Sequence, residues 1–155
     1  MAVLIQELLD PEMSFVLHTV NPVSHSEQEI YAEIVVGLGE TLVSAASHGS
    51  PYRFTCDKLS DTVVTLAFAN FSQAARPNPG GGVKRETLDY SNVELSRDAD
   101  ARQELGRRLA EVGGSVEQAF GKPQDIEGAV VENQIYLVQS RPQQGLIPQL
   151  HLRSP

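Results

Sequence analysis

The sequence predicts an α+β domain, a mainly antiparallel sheet with one long and one short helix. Three observations carry that reading. Runs rich in β-branched and aromatic residues recur along the chain and are closed by Asp10-Pro11, Asn21-Pro22 or glycine. Residues Tyr52–Asp57 and Thr62–Phe71 form a hairpin pattern joined through Lys58–Asp61. A single long segment, Asp98 to Phe120, repeats its apolar side chains (Leu105, Leu109, Val112, Val116, Phe120) at three- and four-residue steps.

In chain order, the apolar run at residues 2–9 reads as a strand that enters the core at once and stops at Asp10-Pro11. Ser14–Val20, "SFVLHTV", is a second β-rich run, followed by the polar loop "VSHSEQ". In "EIYAEIVVG" the residues Ile30, Ala32, Ile34 and Val36 alternate onto one face, a strand pattern. "GLGE" interrupts it, and Thr41–Ser47 has the composition of a short helix. "ARPNPGGGV", residues 75–83, reads as a surface loop; its glycines lack the Lys-Ser/Thr ending of a phosphate loop. The long helix has Asp98 or Asp100 to cap its start and Gly121 with Pro123 to close it, and Gly113-Gly114 marks a bend. Residues 145–155 read as a loosely attached tail.

The chain of 155 residues suffices for one domain with a real core, and 41% hydrophobic with 21% charged residues is globular rather than disordered composition. A net charge of -8 without a Lys/Arg cluster argues against nucleic acid or an anionic membrane as partner. No apolar run reaches the roughly 18–20 residues needed to span a bilayer. Cys56 is the only cysteine, which excludes a disulfide framework and a thiolate metal site; in its apolar strand it reads as a small buried hydrophobe. The opening "MAVLIQELLDPEM" lacks a basic stretch and its acids come early, so it reads as neither signal nor transit peptide but as the interior of a longer protein.

"DIEGAVVENQIYLVQSRP", residues 125–142, concentrates the chemistry. With a three-residue hairpin loop at residues 132–134, Asp125 faces Arg141 and Glu127 faces Gln139, all four on one face at one end of the ribbon. That register puts Tyr136 and Val138 on the face of Ile126 and Val130, and Ile135 and Leu137 on the face of Val131. A two-residue loop would slip the register by one and scatter the quartet. The rest of the ribbon is apolar on both faces, the pattern of covered central strands. Charges at the end of such a ribbon need matching. An internal solution pairs Asp125 with Arg141. An external one gives a hard cation the oxygens of Glu127, Gln139 and Asp125 while Arg141 forks onto a phosphate. Spacing alone leaves both open.

On these residues the sequence resembles a known family. "QDIEGAVVENQIYLVQSRPQ", "FVLHTVNP" and "EIYAEIVVGLGETLVSA" are similar to segments of the nucleotide-binding domain shared by pyruvate phosphate dikinase, phosphoenolpyruvate synthase and the plant starch dikinases. "TLAFANFS" and the final segment resemble most the starch branch, first the phosphoglucan and then the glucan, water dikinases. The resemblance implies an ATP-grasp-like lobe over residues 1–144, the second of two, using ATP and Mg2+. It places the family's metal-binding pair on Glu127 and Gln139, its phosphate-contacting Arg on Arg141, its second acid on Asp125 and the acid of the "GLGE" segment on Glu40. The adenine-side connector falls on Gln6, Glu7 and Leu8. In that family the β-phosphoryl group of ATP passes to a histidine on another domain and the γ-phosphate to water; a starch dikinase then phosphorylates a glucosyl hydroxyl. The resemblance therefore implies a partner lobe, a histidine domain and a glucan bound elsewhere, in the plastid stroma.

No histidine here has the setting of a phosphocarrier: His18 lies in an apolar strand as a satisfied sheet residue, His25 and His48 in polar loops, and His151 in the tail. The chain has no tryptophan and no evident sugar-stacking platform. Two other readings stand beside the starch dikinase: a phosphoenolpyruvate synthase-type lobe, and a non-catalytic binding module whose quartet is only structural.

Overall fold

A computed structural model of the chain describes residues 1, 3–43 and 48–146. Among these residues eight strands form: β1 (Met13–His18), β2 (Glu29–Val36), β3 (Tyr52–Asp57), β4 (Val63–Ala67), β5 (Gln73–Pro77), β6 (Val83–Thr87), β7 (Gln124–Val131) and β8 (Gln134–Pro142). Six of them make one antiparallel sheet in the order β4-β3-β2-β1-β7-β8, and β5 pairs with β6 in a separate hairpin. The helices are α1 (Glu40–Val43), α2 (Glu94–Arg97) and the long α3 (Ala99–Phe120), with a 3-10 turn at Tyr90–Asn92. This is the expected α+β build. The hairpin Tyr52–Asp57 with Val63–Ala67 also forms as expected, its second strand shorter than the pattern suggested.

Helix α3 covers one face of the large sheet. Alternation sends Ile30, Ala32, Ile34 and Val36 to that face, in register with Phe15 and Leu17 of β1 and with Tyr52 and Phe54 of β3. All are buried, with Ile126 and Val130 from β7. Each of the larger side chains (Val, Leu, Ile, Phe) is worth about 1.5–3 kcal/mol on transfer from water, so this face holds the domain together. Cys56 belongs to the same core, and burial pushes its thiol pKa up, as fits a packing role.

The long helix starts where expected. The Asp98 carboxylate accepts from the N–H groups of Asp100 (2.8 Å) and Ala101 (3.2 Å), and Gly121 closes the helix at φ 65°. Its buried stripe differs from the expected one: Leu105 and Leu109 pack inward with Gly106, Ala110 and Gly113, whereas Phe120 is 59% exposed. The helix runs unbroken through Gly113-Gly114. A β-carbon on Gly113 would meet Leu17 and Ile30, so this glycine marks close contact with the sheet rather than a bend.

Three further expectations are corrected. Residues 3–10 form no strand, and Val3, Leu4, Ile5 and Leu8 are exposed. Both sides of β1 are already paired, to β2 and β7, so this apolar run finds no sheet edge beside it. The segment 75–83 is not all loop: β5 and β6 leave only residues 78–82 between them, and Ala74 and Ala75 are buried. Ala75 bridges to Gly37 and its carbonyl accepts from Leu38 N–H at 2.8 Å, which docks the small hairpin beside α1. Strand β8 is an edge rather than a covered central strand, with Tyr136, Leu137 and Val138 each more than 40% exposed. The expected short helix forms over Glu40–Val43; its residues 44–47, and 147–155 of the tail, lie outside the described residues.

Gly128 is the tightest point of the functional ribbon. A β-carbon there would sit 2.6 Å from the Tyr136 carbonyl oxygen and collide with the buried ring of Phe15. Backbone cannot step aside as a side-chain tip can, so Gly128→Ala should destabilise the domain by about 1–3 kcal/mol. Urea unfolding of the two proteins measures this; an unchanged midpoint would contradict the packing.

Candidate functional site

Local backbone chemistry builds the β7–β8 ribbon. Glu132 (φ 48°) and Asn133 (φ 61°) both adopt left-handed conformation, as a two-residue type I′ turn requires. The Arg108 guanidinium of α3 donates to the Asn133 side-chain oxygen (2.7 Å) and carbonyl (2.6 Å). Glu132 N–H donates to the Glu12 carboxylate at 3.0 Å. The expected three-residue loop is therefore replaced by a tighter one, pinned from two sides.

A two-residue turn by itself would scatter the quartet, yet Asp125 pairs with Arg141 and Glu127 with Gln139. A β-bulge restores the register. Pairing runs from Val131 with Gln134 to Gly128 with Leu137, then skips Val138 and resumes at Glu127 with Gln139. One extra residue on β8 thus offsets one residue fewer in the turn. The same shift exchanges faces nearer the turn: Tyr136 pairs with Ala129 on the Glu127 face, and Ile135 pairs with Val130 on the core face, the reverse of expectation.

The quartet splits in two. Asp125 is 8% exposed and fully engaged: one oxygen lies 2.7 Å from His18 Nδ1, the other 3.5 Å from Arg141 Nε. Glu127 and Gln139, in contrast, have no hydrogen-bond or ion-pair partner for their side chains among the described residues, though Glu127 is half-buried. A carboxylate and an amide oxygen side by side, about 5 Å apart at Cβ, are hard donors left unused. Among the described residues no three His, Cys, Asp or Glu side chains gather into a metal cluster. Such a pair fits a cation that takes only one or two protein oxygens and completes its shell with water and phosphate, as magnesium does.

Beside this pair opens a cavity of about 460 Å³, within the range of small-molecule sites. Its walls bring together Gln6, Glu7 and Leu8 of the irregular N-terminal segment, Glu40 at the start of α1, and Glu127. Five of the eight sequence-predicted site residues therefore meet in one cavity. Asp125, Gln139 and Arg141 do not line it; they extend the same sheet face beyond it. Tyr136, Leu137 and Val138 supply an apolar wall that sequence reasoning placed in a covered strand. Among the described residues that line it the cavity has three glutamates, Glu7, Glu40 and Glu127, and no lysine or arginine. Glu40 is itself 3.8 Å from Arg85 of β6.

Farther along this face, Tyr31 donates to Glu33 (3.0 Å), which also accepts from Arg53 Nε (2.9 Å). Burial, then the Glu33 charge, pushes the Tyr31 hydroxyl up to about 12, so it stays a neutral donor throughout the physiological range. Sequence reasoning missed two tethers of the ribbon end. Gln143 clamps the Val20 backbone, accepting from its N–H (3.1 Å) and donating to its carbonyl (2.8 Å). Buried Gln124 accepts from Ser140 at 2.9 Å. Neither has a local signal, because each partner lies more than ten residues away.

Comparison with known proteins gives this arrangement its class. Residues 1–150 match the family described as pyruvate phosphate dikinase, AMP/ATP-binding domain. The chain is 34% identical to the chloroplastic alpha-glucan water dikinase of Solanum tuberosum, over 92% of its own length and 12% of that protein. It is 38% identical to alpha-glucan water dikinase 2 of Arabidopsis thaliana, over 92% and 13%. With a probable phosphoenolpyruvate synthase of Methanocaldococcus jannaschii it shares 31% identity, over 92% and 12%. The chain belongs to the pyruvate phosphate dikinase AMP/ATP-binding domain family. It spans about an eighth of the length of these relatives. Among the described residues no helix is long and apolar enough to cross a membrane.

Proposed function

We propose that the domain is the ATP- and Mg2+-binding part of a glucan-phosphorylating water dikinase, with residues 1–144 forming the C-terminal lobe of its nucleotide site. One observation carries the reading: among the described residues, a cavity of nucleotide-binding size is lined by acids and no base, beside an unpartnered carboxylate and amide. A polyphosphate can occupy such a place only through cations supplied by a metal and by another part of the protein. Glu127 and Gln139 would hold Mg2+, which when bound neutralises charge on the phosphoryl group in transfer. Arg141, held through Nε by Asp125, keeps both terminal nitrogens for a phosphate. Glu40 borders the phosphate end, and the backbone of Gln6, Glu7 and Leu8 faces the base.

The reaction follows from the family resemblance. The β-phosphoryl group of ATP goes to a histidine of another domain and then to a starch glucosyl hydroxyl; the γ-phosphate goes to water. The two alpha-glucan water dikinases support a glucan acceptor, and the chloroplastic one supports the plastid stroma as location. The probable phosphoenolpyruvate synthase favours a second reading, in which the same ATP site serves a different acceptor. Labelled ATP tests the common part. In the complete protein, label at the β-phosphate should appear on protein histidine and label at the γ-phosphate in free phosphate. Protein that retains the γ label would overturn the dikinase reading.

A further inference from the structure

We infer that His18 is a positioning residue that keeps Arg141 available to the phosphate, by occupying one oxygen of Asp125. The inference rests on the phosphate role proposed for Arg141. Strand register brings the three together: His18 of β1 lies opposite Asp125 of β7, which lies opposite Arg141 of β8. Asp125 is nearly buried, so both of its oxygens need partners. The 2.7 Å contact to His18 Nδ1 is the short, strong one, and the contact to Arg141 Nε, at 3.5 Å, is long.

A carboxylate can only accept, so Nδ1 carries the proton in this contact whether the ring is neutral or charged. Tyr31 of β2 shelves the imidazole from the other side, with ring centres 6.0 Å apart, and its hydroxyl is tied to Glu33. Because one oxygen is taken, Asp125 can offer Arg141 only the other. Among the described residues Arg141 has no further ion-pair partner, and its side chain is 61% exposed. Freed of His18, Asp125 could turn and take the guanidinium with both oxygens. That fork is the geometry Arg141 would otherwise offer a phosphate. His18 thus acts through Asp125 and touches no substrate.

The test uses three variants of the complete protein, reading the KM for ATP and kcat of autophosphorylation. His18→Phe keeps the ring and removes the donor; it should raise KM for ATP by about tenfold, the low end of what losing an outer-shell partner costs, with a much smaller change in kcat. His18→Asn places an N–H where Nδ1 stood and should restore most of the loss. Arg141→Ala should raise KM at least as much as His18→Phe. If Arg141→Ala leaves KM unchanged, the phosphate role of Arg141 falls and the inference with it. If Arg141→Ala raises KM but His18→Phe does not, or His18→Asn fails to rescue, the inference alone is overturned. Should His18→Phe not fold, nitrogen NMR of the unmodified protein decides: Nδ1 must be protonated, and a neutral ring protonated only at Nε2 would overturn the clamp.

Discussion

Replacing Glu127 or Gln139 by alanine in the complete protein is expected to lower ATP-dependent autophosphorylation by on the order of 100-fold or more, while leaving glucan binding intact. Among the described residues neither side chain has an internal partner and neither belongs to the core, so truncation should cost little stability. The contrast with Asp125 is instructive. Asp125 is buried between His18 and Arg141, so its truncation would strip both partners and confuse folding with function. At Glu127 and Gln139 the loss falls on the ligand instead. In the proposed site each supplies one of two neighbouring oxygens, and losing either would leave an acid-lined cavity less able to accept the charge of a triphosphate. The deficit should be largest for the chemical step, where charge on the transferring group is redistributed. Autophosphorylation of either variant at the unmodified rate, with thermal unfolding unchanged, would remove both residues from the site.

How much of this was legible in the sequence depends on the range of the interaction involved. Asp98 and Gly121 bounded the long helix because caps act within a few residues. The alternation of Ile30, Ala32, Ile34 and Val36 marked the core face of β2 for the same reason. The ribbon was legible in its outcome but not in its cause. Glu127 does face Gln139, through a type I′ turn and a bulge at Val138 that cancel each other. Nothing in "VENQIYLVQ" marks a bulge, since Leu137 and Val138 are as fit for regular strand as their neighbours. The partnership of His18 with Asp125 spans 107 positions and depends on β1 lying between β2 and β7, which periodicity along the chain cannot reveal. The N-terminal run failed as a strand because hydrophobicity records a wish to be covered, whereas a strand also needs an edge to pair with. Its residues Gln6, Glu7 and Leu8 nevertheless border the cavity, because an unpaired segment is free to lie across the sheet face that Glu127 occupies.

A polypeptide of these 155 residues alone is expected to fold, to bind Mg-ATP no better than millimolar, and to transfer no phosphoryl group. Folding is expected because the local and global preferences agree: a capped amphipathic helix covers an alternating sheet, and no buried side-chain nitrogen or oxygen among the described residues lacks a partner. Weak binding is expected because the cavity presents three glutamates to a ligand carrying several negative charges. The only arginine of the quartet stands at its margin, 61% exposed, where one guanidinium–phosphate contact is weakened by solvent and salt. In the proposed site the nucleotide is balanced by Mg2+ together with a second lobe, whose lysine and arginine the family resemblance places opposite this one. A half-clamp of this kind should give a binding free energy of roughly -4 kcal/mol or weaker. Calorimetric titration of the purified chain with Mg-ATP measures it, and adding salt should weaken whatever heat is seen. Micromolar affinity would show that this lobe carries a complete nucleotide site, and that the acids lining its cavity are balanced from within the chain.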